Sequence, residues 1–176
     1  MPAHDPFTTL GLEPRFDLTD AEIEAAYLAR VATAHPDAAP AGTTPADPAA
    51  LNDARAALLD AERRANALLA HLGGPGPSDD KSLPDGFLME MMEVRGEIED
   101  AIASGGDAER ARWEAWADEQ RAEFVQDVTA RFAAADGSQP EPLAAIRTRL
   151  NAWRYIERLI EQLDPDYDPA HADFDR

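Results

Sequence analysis

Turn-forming clusters divide this chain into helix-length pieces, and none of the pieces reads as a strand. Gly73-Gly-Pro-Gly-Pro77, Gly105-Gly106 and Asp136-Gly-Ser138 are strong breakers, and Pro36, Pro40, Gly42 and Pro45 interrupt the stretch before residue 48. Between the breakers, apolar residues recur at three- and four-residue spacing. The expected fold is therefore all-α. It has an N-terminal helical hairpin over residues 1–72 and a linker over 73–83. A three-helix bundle follows over 84–163, because short connections favour antiparallel neighbours. Residues 164–176 hold five aspartates and two prolines and read as a disordered acidic tail.

Local signals sharpen this layout. A short apolar entry (Phe7, Leu10, Leu12) precedes Thr19, a plausible N-cap whose capping-box partner is Glu22. Ile23, Tyr27 and Val31 mark one apolar face of the helix that follows, and Pro36 requires it to stop near Ala34. A second helix is expected from Pro48 to about Leu72, with Leu51, Leu58, Leu68, Leu69 and Leu72 as apolar marks. The bundle helices are expected over about 84–104, 108–135 and 140–163.

Charge and composition exclude several functions. The net charge is −19, and Lys81 is the one lysine. Nucleic acid and anionic membranes both need clustered cations, so neither is an expected partner. No run approaches a membrane span, and residues 1–9 lack the basic and apolar regions of a signal peptide. A cytoplasmic protein is expected. With no cysteine there is no disulfide, thiolate nucleophile or Cys-ligated cluster. Asp80-Lys81-Ser82 ends like a P-loop but places a carboxylate where glycine is needed. A di-iron bundle needs Glu-x-x-His pairs, and no histidine has Glu three residues before it. Glu90, Glu93, Glu97 and Glu99 read as a solvated helix face, and His171 among Asp168 and Asp173 as part of the tail. The chain is expected to be no enzyme, with no cofactor and no metal.

Two features rise above this background. His35-Pro36-Asp37 lies between a helix and a Pro-rich loop. Proline fixes the backbone there, so an imidazole and a carboxylate are presented rigidly, a geometry suited to capturing a partner's arginine. The second is Phe87-Leu-Met-Glu-Met-Met-Glu-Val-Arg95. On a helix, Phe87, Met91, Val94, Ile98 and Ile102 fall within about 80° and supply the core stripe. Leu88, Met89 and Met92 then point away from it. Surplus methionines on an outer face point to a protein-binding surface. Gly96 shares that face and permits close approach. On the last helix, Ile146, Leu150, Trp153 and Ile160 form the stripe, and Tyr155 faces about 180° away from Ile146 as a potential anchor.

The order of these motifs resembles the HscB family, the J-domain co-chaperones of iron–sulfur cluster assembly, over roughly residues 5–163. Phe7-Thr-Thr-Leu-Gly-Leu12 with Pro14-Arg-Phe-Asp-Leu18 is similar to the family's start. His35-Pro36-Asp37 is similar to the J-domain tripeptide. Asn52, Ala54, Leu58, Arg64-Ala65, Leu68-Leu69 and Gly73 resemble its third J-domain helix. Phe87-Leu-Met-Glu90 with Glu93 and Arg95 resembles the signature of its C-terminal domain.

The resemblance implies two partners. An Hsp70-class chaperone (HscA/DnaK type) would be engaged by His35, Pro36, Asp37 and Arg30, and its ATP hydrolysis stimulated. An IscU-type cluster scaffold would be bound through Leu88, Met89, Met92, Glu93, Arg95, Gly96 and Tyr155. An alternative is an adaptor that binds the scaffold and has lost Hsp70 stimulation. That alternative has a basis in departures from the family. Residues 19–34 carry Asp20, Glu22 and Glu24 against Arg30 alone, and Ala38 follows the tripeptide where lysine is usual. Gly96 stands where the family usually has Glu.

Overall fold

A computed structural model describes residues 5–34, 47–104, 106–135 and 139–161. All the regular structure among the described residues is helical. The elements are α1 (Pro6–Leu10), α2 (Asp20–Ala34), α3 (Pro48–Leu59), α4 (Ala61–His71), α5 (Phe87–Ser104), α6 (Asp107–Ala134) and α7 (Pro140–Glu161). In the N-terminal half α2 packs on α3, with α1 across both. In the C-terminal half α5, α6 and α7 pack on one another, α6 against α7 most extensively. The two halves meet where α4 lies against α7.

Capping explains where several helices begin. The Asp5 carboxylate accepts from the Phe7 N–H at 3.0 Å, and Pro6 follows at a position that needs no donor. Asp47 caps α3 in the same way, accepting from the Ala49 N–H at 3.0 Å ahead of Pro48. The Thr19 box closes in both directions. The Thr19 N–H donates to Glu22 at 2.8 Å, and the Glu22 N–H donates to the Thr19 hydroxyl at 3.3 Å. Gly11 ends α1 in the left-handed region (φ +71°), and the guanidinium of Arg30 lies where its Cβ would be.

One expectation fails. The single helix over 48–72 is two helices, α3 and α4, divided at Asp60. Asp60 is extended (φ −82°, ψ 121°), and its carboxylate accepts from the Arg63 N–H at 2.8 Å. It thus caps the second helix as the first ends. An aspartate competes for backbone donors in this way wherever the chain can turn. The expected tail and the Pro-rich loop lie outside the described residues.

The core is one continuous apolar cluster through both halves. Phe7, Ile23, Leu51, Leu58 and Leu69 fill the N-terminal part; Ile98, Phe124, Val128, Ile146, Leu150 and Ile156 fill the bundle. Phe124 stacks on Trp153 with centroids 5.7 Å apart and planes 11° apart. Phe16 bridges the halves. Its ring lies 5.8 Å from that of Phe132 and beneath the buried Arg64 guanidinium at 5.2 Å.

A polar seam reinforces the junction. Arg147, 3% exposed, donates to Asn66 on α4 at 2.6 Å and to Asn151 at 2.9 Å. Asn151 in turn donates to the carbonyls of Asp80 and Ser82 at 3.0 and 2.9 Å. These bonds tie the segment between α4 and α5 to α7. Buried polar groups satisfied in this way fix one arrangement, because any slippage leaves donors unpaired.

Candidate functional site: the outer face of α5

The interior side of α5 is held by Phe87, Met91 and Ile98, all buried, with Val94 half-buried. The side chain of Ile102 is not described. The next residues around the helix are left in solvent. Leu88 is 52% exposed, Met89 73% and Met92 72%. Lone exposed apolar residues are ordinary, but three within five positions on one helix make a contiguous patch. Glu93 is exposed beside it. Arg95 pairs with Glu99 one turn on, at 2.9 Å. Gly96 faces open space, so its missing Cβ relieves no contact within the chain.

Tyr155 differs from the expectation. It is half-buried rather than exposed, with its ring edge-on to Phe87 at 5.6 Å. The angular reading placed it opposite Ile146, where α5 approaches α7 and covers it. It therefore buttresses Phe87, the first residue of α5, from behind. A shallow groove of about 350 Å³ continues the patch towards the preceding segment, lined by Lys81, Leu83, Pro84, Asp85, Leu88 and Met89. The sequence reading missed this groove, since it depends on how residues 81–86 turn into the helix.

The second expected site is only partly visible. His35, Pro36 and Asp37 lie outside the described residues. Arg30, on α2, is exposed and drapes over Gly11. The acidic residues of α2 are engaged internally. Glu24 accepts from Arg55, with Nε 2.9 Å from both carboxylate oxygens, and Glu22 pairs with Arg15. Hydrogen bonds from Arg55 hold the Glu24 carboxyl below the usual range, and bonds from the Thr19 backbone and hydroxyl do the same for Glu22. Val31, expected on the buried face, is 41% exposed, and Leu28 is 62% exposed. Glu24 and Tyr27 meet Arg55 and Asn52 of α3, and Leu28 and Val31 lie outside that contact.

No group of three or more metal-ligating side chains comes together among the described residues. No helix among them is long and apolar enough to cross a membrane.

Residues 83–164 match the family model described as the HSCB C-terminal oligomerisation domain. Over those residues the chain carries an HscB-type C-terminal domain. The matched span contains all of α5, α6 and α7 and hence the whole exposed patch. The fold carries the likeness further, into the N-terminal half. The chain superposes on chaperone HscB from Vibrio cholerae with a TM-score of 0.66 at 22% identity, covering 90% of this chain and 94% of that one. It superposes on the human co-chaperone protein HscB with a TM-score of 0.66 at 21% identity, covering 93% of this chain and 82% of that one. No curated protein matches the sequence. The likeness extends along nearly the whole HscB chain, so the helical hairpin and the bundle occur together in all three proteins.

Proposed function

We propose that this HscB-type chain is a co-chaperone of iron–sulfur cluster assembly that joins an IscU-type scaffold to an Hsp70-class chaperone. In this reading residues 1–72 form a J domain, 73–83 a linker and 84–163 the scaffold-binding domain. Leu88, Met89 and Met92 are the apolar contacts to the scaffold. Glu93 and Arg95 supply charges at the rim, and Gly96 allows the partner's backbone to approach. Tyr155 acts indirectly, by holding Phe87 and so the start of α5. His35-Pro36-Asp37 and Arg30 engage the chaperone and stimulate its ATP hydrolysis. The chain itself performs no covalent chemistry and carries no cluster.

The observation that supports this reading best is the exposed trio on α5. It is surplus to a core that Phe87, Met91 and Ile98 already fill, and it lies within the region matched to the family. Methionine side chains adapt to an irregular partner surface at little entropic cost. Holding two partners on one body raises the effective concentration of each for the other.

The deciding experiment is single-turnover ATP hydrolysis by the cognate Hsp70, with and without this protein and the scaffold. Acceleration that grows with scaffold and disappears in Asp37→Asn is the expected result. No acceleration by the unaltered chain refutes the stimulation.

One observation favours a second reading, a scaffold-binding adaptor without stimulation. The acidic residues Glu22 and Glu24 on α2 are paired within the chain, and α2 offers Arg30 as its one cation. That leaves little charge to steer an acidic partner. Scaffold binding with no change in ATP turnover selects this alternative.

A further inference from the structure

The seam between α4 and α7 contains a carboxyl whose charge is poorly matched to its place. Glu62 stands in the first turn of α4, with its side chain only 18% exposed. Its nearest cation is Arg154 of α7, and the gap is 3.6 Å, longer than a good charge-assisted bond. Arg147 also faces it from α7, but that guanidinium donates to Asn66 and Asn151. Glu157 of α7 and Asp60 at the head of α4 bring further negative charge. The Arg154 Nε is itself buried without a hydrogen-bond partner, so neither side of this pair is fully satisfied.

We propose that Glu62 is a proton-sensitive latch between the N-terminal helices and the bundle. With the carboxyl neutral, α4 stays docked on α7; with it ionised, the seam loosens.

The physical argument is one of solvation. Docking strips water from the carboxyl, which penalises the anion, and Asp60 and Glu157 add repulsion. Arg154 and Arg147 offset only part of this. Undocking returns Glu62 to water at a helix N-terminus, where an anion is welcome. Burial first, with those two carboxylates, pushes the Glu62 carboxyl up from 4.5 to about 7. The sign follows from linkage. A group that holds its proton more tightly when docked favours docking most below its free pKa, and that advantage drains away as pH rises towards the docked value. The window is therefore about pH 4.5 to 7, with a plateau above. Between pH 5 and pH 8 the ratio of docked to undocked forms falls by about 70-fold.

Hydrogen exchange on the full chain tests the latch, with rates corrected for the intrinsic effect of pH. Protection of the α4 amides is expected to fall by about 70-fold from pH 5 to pH 8, while that of the α6 amides changes far less. In Glu62→Gln every other group still titrates, yet the α4 protection is expected to vary by less than about threefold. Arg154→Met removes the anion's main support and is expected to shift the wild-type transition to higher pH. The proposal is overturned if α4 protection is flat in the wild type or if Glu62→Gln follows the wild-type profile. It is also overturned if the α6 amides lose protection in parallel, since that means global unfolding, or if Arg154→Met leaves the transition in place.

Discussion

Met89 and Met92 offer the sharpest separation of binding from folding. They flank Met91 in sequence, yet Met91 is 2% exposed while they are 73% and 72% exposed. Burying a methionine side chain is worth about 1.5–3 kcal/mol. About three-quarters of that remains available to a partner at each site, of which truncation to alanine gives up about 1–1.5 kcal/mol. The double variant Met89→Ala/Met92→Ala is therefore expected to lose about 2–3 kcal/mol of scaffold binding, which is a 30- to 150-fold rise in Kd at about 1.4 kcal/mol per decade. Its folding stability is expected to stay within about 0.5 kcal/mol, since exposed sites contribute little and alanine favours the helix. Met91→Ala is expected to show the opposite pattern, costing about 2–5 kcal/mol of stability. Calorimetric titration of the scaffold, paired with urea unfolding of each variant, reads both quantities. A double variant that binds within threefold of the wild type refutes the assignment of this face, whatever happens to Met91→Ala.

Three further outcomes follow from local geometry. Gly11→Ala is expected to cost about 1–2 kcal/mol, because φ is +71° there and the Arg30 guanidinium occupies the Cβ position; thermal denaturation reads the loss. Phe16→Ala is expected to cost about 3–5 kcal/mol in urea unfolding, since it empties a site between Arg64 and Phe132 that joins both halves. The Glu22 carboxyl is held low by the Thr19 backbone and hydroxyl, so its stabilisation is present above its free pKa and is lost as pH falls through the lowered value. Fraying of α2 at acid pH, read by amide exchange, is expected in the wild type and is expected already at neutral pH in Thr19→Ala.

The places of α2, α5, α6 and α7 and the patch were legible in the sequence for the same reason. Breakers such as Gly73-Gly74 and Asp136-Gly137 are local, and so is the periodicity that makes Phe87, Met91 and Ile98 one stripe. The division at Asp60 was not legible, because no glycine or proline marks it. The signal that was present, an aspartate three residues ahead of an arginine whose N–H it caps, is common inside helices as well. Val31 and Tyr155 failed for a different reason. A helical wheel gives angles within one helix but not which of its residues a neighbour meets, which leaves Val31 in solvent, or where α5 crosses, which covers Tyr155. The seam was the least visible feature. Arg147, Asn151 and Asn66 look like surface residues until α4 and α7 are brought together.

The seam also explains how α5 can afford an unused apolar face. On α7, Leu143, Ile146, Leu150, Trp153, Ile156 and Leu159 are buried with the bundle core, and Arg147, Asn151 and Arg154 form a second stripe at four- and three-residue steps. That stripe holds α4 and residues 80–82. Both faces of α7 are thereby occupied, and the junction of the two halves does not depend on α5. Among the described residues, helix α5 packs on the core through Phe87, Met91, Val94, Ile98 and Ala101, so the side that carries Leu88, Met89 and Met92 is under no demand from the fold. A partner seated on Leu88, Met89 and Met92 displaces nothing, and the chain pays no unfolding cost to receive it. For two partners seated one on each half, the α4–α7 contact would set their mutual geometry, since effective concentration depends on the length and stiffness of what links the two sites. Loosening the α4–α7 contact would change that geometry and leave each separate affinity in place, which is how the charge state of one seam carboxyl would bear on two bound partners.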